Sequence, residues 1–254
     1  MTFSIVMAYV NRKLQLLNTL KSISMSKIDK KDYEIIIVDD CSNELNKLND
    51  IKQIFNDLNI KIIEIDKSTK WWINPCVVYN IGFKQIKNDI VIIQNAENIH
   101  NGDILTDIRE NFKENDYRTY ACYSLRREET IDLNNLDNIN IKNRKIKCVG
   151  DNGWYNHSLY NKTAYHFCSV ISKQNLFKLN GFDEKFANGI GCDDDELKRR
   201  IELLYLNINI IDKPFVIHQW HYNKDCLTVK AIFEQKYIKL YEHNLNLLKE
   251  KYKI

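Results

Sequence analysis

The sequence contains no apolar stretch long enough to cross a membrane, since no window holds the roughly eighteen apolar residues that a spanning helix needs. The first residues, MTFSIVMAYVNRK, lack the basic start, apolar run and small-residue cleavage site of a signal peptide. The chain has 37 basic and 34 acidic residues and a formal charge of +3, without a long basic run or an acidic tail. These absences predict a soluble, cytoplasmic protein, and they make nucleic acid a poor candidate partner.

Paired cysteines are missing as well. The seven cysteines are an odd number and include no CxxC pair, which favours reduced thiols over a disulfide framework or a zinc knot. No GxGxxG follows the first apolar run, and no GxxxxGK[ST] occurs. The phosphate cradles of dinucleotide dehydrogenases and P-loop enzymes are therefore absent, and a bound nucleotide would be held by other residues.

Short apolar segments alternate with helical patterns over the first hundred residues. Four segments, FSIVMAY, YEIIIVDD, IKIIEI and DIVIIQ, predict strands. Helices are predicted around 13–25, 44–58 and 75–87. Continuous β-branched strands that alternate with amphipathic helices predict an α/β fold with a mostly parallel central sheet flanked by helices, and the length favours a single domain over 1–254.

The second half of the sequence has a looser pattern. In chain order it predicts a helix near 103–114, a strand at RTYACYSL, a polar loop from about 126 to 150, an aromatic segment, a strand with two helices across 167–204, and two short strands in 207–225. From about 228 the apolar residues predict a C-terminal helix. Its apolar face can pack either on its own domain or on a second copy, so an oligomer is possible.

Polar residues follow the ends of the predicted parallel strands. They are, in chain order, Tyr9 and Asn11, Asp39 and Asp40, Asp66, and Asn95 and Glu97. In open α/β sheets ligands bind outside the carboxyl ends of the strands. The sequence therefore predicts the ligand site at this edge of the sheet.

With these motifs the chain resembles a GT-A glycosyltransferase of family 2, and its second half is similar to the β-1,4-galactosyltransferase and chondroitin synthase group. The motifs are AYVNR, VDD, VYNIGF, NAE and GFDEKFANGIGCDDDELKRRI, and the resemblance covers roughly residues 3 to 225. It implies a GT-A (Rossmann-like) domain with a nucleotide-sugar half at about 1–100, an acceptor and catalytic half at about 101–227 and the C-terminal helix at about 228–254.

The resemblance implies a divalent metal, Mn²⁺ or Mg²⁺, on the diphosphate of the donor. NAE stands where the family carries its DxD motif, so Glu97 is the predicted ligand and Asn95 a water-mediated or sugar-contacting neighbour. In VIHQWH, His221 matches a metal-binding histidine of the galactosyltransferases, and His218 is a second candidate. Outside this context NAE would be an ordinary polar strand end, and the histidines would cap the sheet.

The acids of GCDDDEL are predicted to act on the acceptor. Consecutive acids at a helix start can simply complement the helix dipole, but Gly189 and Gly191 let the backbone approach a ligand. An inverting transferase needs one carboxylate to take the proton of the acceptor hydroxyl. The resemblance implies that Asp194 is this base and that Asp193 is an orienting neighbour, with Gly191 and Asp195 among the acceptor-binding residues.

Further acceptor contacts are predicted in the aromatic segment. Ile190 stands where the relatives carry a Trp on which the acceptor stacks. Trp154 or Tyr155 is the predicted replacement, with local packing as the alternative. Trp71 and Trp72 are predicted to lie in the core.

The resemblance also implies the donor contacts. Tyr9 is predicted to stack on the base, Asp39 to accept from the base or ribose, and Asn80 to face the phosphates, with Asn11 and Asn95 nearby. Asp40 is expected to cap the turn before 44–58. Lys70 is either a phosphate ligand or a solvated side chain.

The sequence thus predicts an enzyme of glycan biosynthesis. It would be an inverting, metal-dependent hexosyltransferase that moves a sugar from a nucleoside diphosphate, with UDP expected, to a hydroxyl of a glycan or other acceptor. A non-catalytic module that binds nucleotide-sugar or glycan is one alternative, disfavoured by the acids at 193–195 and the paired histidines. A nucleotidyltransferase is the other, disfavoured because no Gly-rich basic loop follows the first strand.

Overall fold

The structure is a computed structural model and describes residues 1–126, 129, 153–221 and 235–253. The predicted loop from about 126 to 150, apart from residues 126 and 129, and the start of the predicted C-terminal helix lie outside the described residues. Among the helices of the described part, none is long and apolar enough to cross a membrane.

The first hundred residues form the parallel part of the sheet. In chain order the elements are β1 (Phe3–Tyr9), α1 (Lys13–Ser24), β2 (Tyr33–Asp39), α2 (Ile51–Ile54), β3 (Ile60–Glu64), α3 (Cys76–Phe83) and β4 (Ile90–Gln94). The strands lie in the order β3-β2-β1-β4 and pair in parallel. Their carboxyl ends therefore open on one edge of the sheet, as the strand–helix alternation predicts.

The predicted helix over 44–58 is largely wrong. The segment forms a 3₁₀ turn at Glu44–Asn46 and the short helix α2. The backbone N–H of Lys13 donates to Asn46 Oδ1 (3.3 Å), and the N–H of Asn43 donates to Asn11 Oδ1 (2.9 Å). Hydrogen bonds between Asn side chains and the backbone compete with helix formation, and here they fix the loop after β2 against the loop after β1.

The second half continues the same sheet with mainly antiparallel pairing. Its elements are β5 (Asn98–Asn101), α4 (Ile104–Asn111), β6 (Asp116–Ser124), β7 (Gly153–Asn156), β8 (Cys168–Ser172), α5 (Lys173–Leu179), α6 (Asp193–Leu203), β9 (Asn207–His218) and α7 (Gln235–Tyr252). β8 runs antiparallel beside β4, followed by β6, β9 and β5, and β7 pairs with β6. β6 and β9 are parallel to each other. One continuous sheet therefore joins the two halves of the chain.

In the described part of 207–225, where the sequence predicts two short strands, the structure has a single long strand, β9. Its ladder with β6 runs to Ile211 and resumes at Val216. Pro214 has no backbone N–H to give to a ladder, and it lies in the gap between the two segments. The break in the sequence pattern is thus an irregularity within one strand, and the strand carries His218 to the edge where β4 ends.

Hydrophobic side chains cover both faces of the sheet. Ile5 and Met7 of β1 pack with Leu16 of α1 on one face, and Val6 packs with α3 on the other. A Cβ at Gly82 of α3 would lie 2.5 Å from Val6 Cγ1, so the glycine permits this close helix–strand contact. Each fully buried aliphatic side chain contributes about 1.5–3 kcal/mol to folding.

The C-terminal helix α7 packs on its own domain, which is one of the two alternatives that the sequence leaves open. Leu248 packs with Phe186 and Cys192. The fully buried Asn244 donates from Nδ2 to the backbone carbonyl of Gly191 (2.7 Å). The helix therefore supports the loop that leads into α6.

Candidate active site

Glu97, His218 and His221, here called the metal cluster, meet where β4 and β9 end. One candidate ligand atom from each lies within 4.8 Å of the others. The register of β5 on β9 pairs Asn98 with His218. Gln219 donates its backbone N–H (3.2 Å) and its Nε2 (2.9 Å) to the Glu97 carbonyl. These contacts hold both histidines beside a carboxylate that is far away in the sequence.

Glu97 is a buried carboxylate that faces basic groups. Its Oε1 lies 2.9 Å from Arg12 Nη1, 3.4 Å from His218 Nε2 and 3.8 Å from His221 Nε2. Burial favours the neutral acid, but Arg12 and the histidines outweigh burial and hold the pKa of Glu97 well below its ordinary range. Its Oε2 has no hydrogen-bond partner in the described part of the chain. An ionised carboxylate with one unbonded oxygen beside two imidazoles fits a divalent cation.

Asn95 and Tyr79 connect the metal cluster to the rest of the site. The Tyr79 hydroxyl on α3 donates to Asn95 Oδ1 (3.1 Å), and the Asn95 N–H donates to the Phe167 carbonyl (3.1 Å). On its other side Tyr79 lies edge-on to the imidazole of His166, with ring centroids 5.0 Å apart. His166 in turn contacts the first turn of α6, so the end of β4 and the start of α6 belong to one site.

Asp193, Asp194 and Asp195, here called the acid cluster, form the start of α6, and each has its own partner. Asn74 Nδ2 donates to Asp193 Oδ1 (2.7 Å), His166 Nδ1 lies 2.5 Å from Asp194 Oδ1, and the Tyr165 hydroxyl donates to Asp195 Oδ1 (2.5 Å). The acids occupy the first helical turn, where the helix dipole favours negative charge. The Asp194 side chain is 29% exposed, whereas Asp193 is buried. Of these two carboxylates, Asp194 is the one that solvent reaches.

The loop before α6 has left-handed backbone at Gly191 and Cys192, with φ values of 68° and 65°. This conformation, which glycine adopts without strain, turns the chain into the helix. Gly191, a predicted acceptor contact, therefore sets the direction of α6. It lies against the ring of Tyr241, since a Cβ added at Gly191 would be 3.6 Å from Tyr241 Cδ2.

Burial raises the pKa of Asp193 to about 6, and the charge of Asp194 acts in the same direction. The hydrogen bond from Asn74 and the nearby His166 oppose this shift. Asp193 therefore exchanges a proton just below neutral pH, next to the accessible Asp194.

Asp39 lies at the end of β2, as predicted. Its Oδ1 accepts from the backbone N–H of Ser42 (2.9 Å), whereas Oδ2 is buried without a hydrogen-bond partner among the described residues. Burial raises the pKa of this carboxyl. A buried acceptor that lacks a donor suits an N–H or O–H group of a nucleoside.

Tyr9 and Asn11 belong to the framework at the edge of the sheet where β1 and β2 end. The Tyr9 ring is 1% exposed, and its hydroxyl donates to the Asn46 carbonyl (2.7 Å). The ring therefore has no open face for the stacking on a base that the sequence predicts. Asn11 has a left-handed backbone (φ 51°), and its N–H donates to Ser42 Oγ (3.0 Å). Both residues hold the loops after β1 and β2 together.

Asn80 binds the loop before α6, where the sequence predicts a contact with phosphate. Its Oδ1 accepts from the Phe182 N–H (2.9 Å), and its Nδ2 donates to the Phe182 carbonyl and to Glu184 Oε1 (both 2.9 Å). These bonds engage both ends of the amide. Asn80 thus links α3 to the loop, and its contact with the donor stays a prediction.

The segment around Trp71 and Trp72 differs from its prediction in two ways. Asp40 binds Lys70 Nζ (2.7 Å) and Trp72 Nε1 (3.0 Å) rather than capping the following turn. Trp72 is buried as predicted, but Trp71 is 54% exposed. The Asp40 carboxylate thus anchors this segment to the end of β2.

The two predicted aromatic acceptor contacts lie in different surroundings. Trp154 is buried and packs edge-on against Tyr123 and Phe215, with centroids 5.0 and 5.6 Å away, so its position indicates packing. Tyr155 stacks on Phe167 (5.3 Å) and lies edge-on to His218 (5.3 Å). Tyr155 therefore borders the metal cluster.

Arg12, Tyr79 and His166 are parts of the site that the sequence does not single out. Arg12 follows β1 and reaches Glu97 because β1 and β4 are parallel neighbours. The sequence did contain a signal for this pair, because Arg12 follows one predicted strand and Glu97 follows another. Tyr79 and His166 have no comparable signal, since their contacts depend on how α3 and the segment before β8 pack.

Comparison with known proteins decides the family. The sequence profile described as Glycosyl transferase family 2 matches residues 4–174, which is more than half of the chain. The chain belongs to this family. The family 2 prediction is confirmed, while the similarity of the second half to the galactosyltransferase and chondroitin synthase group stays a prediction.

One curated relative is the poly(ribitol-phosphate) beta-N-acetylglucosaminyltransferase TarS of Staphylococcus aureus. It is 24% identical over 107 residues, which are 42% of this chain and 18% of the relative. The crystal structure of S. aureus TarS 1–349 with UDP-GlcNAc matches with a TM-score of 0.63 and 16% identity, over 88% of this chain and 60% of that chain. This chain thus spans less than two thirds of the length of these relatives.

Two further structures share the fold. The mannosyltransferase PcManGT from Pyrobaculum calidifontis, in complex with GDP-Man and Mn²⁺, matches with a TM-score of 0.58 and 13% identity, over 87% of this chain and 58% of that chain. GalNAc-T7 with UDP, GalNAc and Mn²⁺ matches with a TM-score of 0.63 and 13% identity, over 99% of this chain and 50% of that chain. At these identities the comparisons show the fold, and they confirm the predicted GT-A architecture.

Proposed function

We propose that the chain is an inverting, metal-dependent glycosyltransferase that moves a sugar from a nucleoside diphosphate to a hydroxyl of a glycan or other acceptor. The observation that carries this proposal is the connection of the metal cluster to the acid cluster through Asn95, Tyr79 and His166. A site with a cation-binding end and a proton-accepting end suits the transfer of a group from an anionic donor to a neutral hydroxyl.

Glu97, His218 and His221 would hold the metal, with Asn95 as a neighbour. A divalent cation supplies charge neutralisation for the departing diphosphate. The two imidazole donors favour Mn²⁺ over Mg²⁺, because Mg²⁺ prefers an all-oxygen shell. The PcManGT and GalNAc-T7 structures, each with Mn²⁺, support this choice.

The donor nucleoside would lie beside Asp39, whose unpartnered Oδ2 accepts from the base or ribose. UDP is the expected nucleotide, supported by the TarS complex with UDP-GlcNAc. GDP is the alternative to test, since PcManGT binds GDP-Man.

Asp194 acts as the general base. As the acceptor oxygen attacks the anomeric carbon, its proton passes to a carboxylate oxygen of Asp194. The bond between the anomeric carbon and the diphosphate oxygen breaks, and the diphosphate leaves with the bonding electron pair. This single displacement inverts the anomeric centre. Asp193 orients the base, and Asp195, Gly191 and Tyr155 border the acceptor.

A non-catalytic module that binds nucleotide-sugar is the second candidate. The observation that favours it is the ion pair between Arg12 and Glu97 at 2.9 Å, since a guanidinium already balances the carboxylate. In that case donor binding would not depend on metal, and bound donor would not be consumed.

Calorimetric titration with UDP-GlcNAc, other UDP-sugars and GDP-mannose, with and without Mn²⁺, tests the proposal. Assays of nucleotide release on the donor that binds complete the test. Metal-dependent binding followed by release that Asp194→Asn abolishes is the expected result. Metal-independent binding without release, in the presence of a broad mixture of acceptor glycans, would favour the binding module.

A further inference from the structure

We propose that His166 is a positioning residue that holds Asp194 in place and balances the negative charge that Asp194 carries before it accepts the proton of the acceptor. This inference rests on the proposed function, because it gives a reason for the geometry of the proposed base. Its basis is the distance of 2.5 Å between His166 Nδ1 and Asp194 Oδ1, which joins a buried imidazole to an accessible carboxylate.

Buried side chains hold the segment that carries His166 in place. Asn156, which is fully buried, accepts from the Ala164 N–H at Oδ1 (3.0 Å) and donates from Nδ2 to the Tyr120 carbonyl (2.9 Å). Thr119 Oγ1 donates to the Tyr165 carbonyl (2.9 Å). The backbone just before His166 is therefore tied to β6 and β7, in the interior of the sheet.

The imidazole ring itself is held by two aromatic rings. Tyr79 lies edge-on with centroids 5.0 Å apart, and Phe182 lies edge-on at 4.9 Å. A ring packed in this way has little rotamer freedom, so the position of Nδ1 is defined. Because the ring is buried, His166 acts on the acceptor only through Asp194.

The charge of His166 differs from that of other buried histidines in the chain. Burial lowers the pKa of His100, which contacts the neutral Gln94, to about 4. Burial also lowers the pKa of His157, 3.5 Å from Asp212. The pKa of His166 is raised despite its burial, because carboxylates surround the ring.

The groups that face His166 come from three elements. They are Asp194 and Asp193 of α6, Glu97 after β4, and the Tyr79 phenol of α3. Attraction to the three carboxylates outweighs desolvation, so His166 keeps its proton at pH values where an ordinary histidine has lost it. A fixed positive charge at this point compensates Asp194, which has Asp193 as a negative neighbour.

The test compares two substitutions at His166. In His166→Asn the amide nitrogen occupies about the place of Nδ1 but carries no charge. His166→Leu removes both the polar atom and the charge. His157→Asn is the matched control, since His157 also lies near an Asp but packs against Trp154, outside the acid cluster. Each variant is assayed for UDP-sugar binding with Mn²⁺, for kcat and KM of nucleotide release, and for the pH profile of kcat.

The expected result is a fall in kcat of about tenfold in His166→Asn and about a hundredfold in His166→Leu, at unchanged donor affinity. Wild-type kcat should fall on the alkaline side as His166 loses its proton, and this limb should disappear in His166→Asn. In His157→Asn, kcat and its pH profile should stay unchanged. Unchanged kcat and pH profile in the His166 variants, with wild-type donor binding, would overturn the proposal.

A second measurement separates this inference from the proposed function. Histidine-selective NMR titration follows the His166 ring in the wild type and in Asp194→Asn, without any need for turnover. A raised midpoint that falls in Asp194→Asn supports the pair even if no sugar is transferred, in which case only the proposed function fails. An ordinary midpoint that Asp194→Asn leaves unchanged would overturn the pair itself.

Discussion

The metal cluster and the acid cluster differ in their balance of basic and acidic groups. In the metal cluster one buried carboxylate, Glu97, faces Arg12 and two histidines that come from distant parts of the chain. In the acid cluster three consecutive carboxylates each face a single partner. The first end has more basic groups than acids, and the second has more acids than basic groups.

This difference indicates which part of a substrate each end suits. A diphosphate is an anion and is stabilised by cations, whereas an attacking hydroxyl must lose a proton and is stabilised by a carboxylate. In the proposed mechanism the metal cluster therefore serves the donor and the acid cluster the acceptor. The following predictions test this division, beginning with the largest expected effect.

Replacing Asp194 by Asn should stop transfer and spare donor binding. The substitution keeps the size of the side chain but removes the proton acceptor, so we expect the rate of nucleotide release to fall by about 10²- to 10⁴-fold. Donor affinity, measured by calorimetry with Mn²⁺, should stay within about twofold. Asp57→Asn, at an exposed acid paired with Lys30, is the control. Release at the wild-type rate would remove Asp194 from the mechanism.

Replacing Glu97 by Gln should affect the other end. The loss of an ionised oxygen ligand should weaken metal-dependent donor binding by about 10- to 100-fold, in the range typical of perturbed metal sites. Affinity measured without Mn²⁺ should change little. Glu202→Gln, on the exposed side of α6, serves as the control. A Glu97→Gln variant with full Mn²⁺ dependence would break the assignment of the metal cluster.

Replacing Asn80 by Ala should lower stability while donor affinity stays unchanged. The change removes three hydrogen bonds between α3 and the loop before α6 and leaves Phe182 backbone groups without partners, at a cost of about 1–3 kcal/mol in the free energy of unfolding. Chemical denaturation measures this loss, and the exposed Asn56→Ala is the comparison. A fall in donor affinity at unchanged stability would instead indicate that Asn80 contacts the donor.

Replacing Asp193 by Asn should change the pH dependence of stability. The folded-state pKa of Asp193 is raised to about 6, so the native state holds this proton more tightly than the unfolded chain does. The stabilisation is present at low pH and is lost as pH rises from about 4, the unfolded value, to about 6. Asp193→Asn avoids this loss of about 3 kcal/mol, and its Tm should exceed that of the wild type by about 5–10 °C at pH 8. If the Tm of the wild type and of Asp193→Asn changed with pH in the same way, the raised pKa of Asp193 would be contradicted.

The parts of the site that the sequence predicted share a simple physical basis. Glu97, His218 and Asp39 follow or end apolar strands, and strand ends in a parallel sheet meet at one edge. The acid cluster is contiguous and begins a helix after two glycines, so its location needs no knowledge of packing. The common chemistry proposed for these residues comes from the resemblance to the family and stays a prediction.

The remaining features depend on contacts between distant segments. His166 and Tyr79 were missed because their roles arise from packing between α3, the segment before β8 and α6. Asn80 and Trp154 were assigned to ligands, but the first binds a loop and the second is covered by neighbouring strands. The helix predicted over 44–58 failed because Asn side chains bond the backbone of an adjacent loop.

A crystal structure of the protein with UDP and Mn²⁺, with manganese located by its anomalous scattering, tests the central claim most directly. We expect one manganese ion bound by Glu97, His218 and His221, with the diphosphate between that ion and Asp194. Manganese absent from these three residues, or a diphosphate bound away from Asp194, would contradict the assignment of the two clusters to one transferase site.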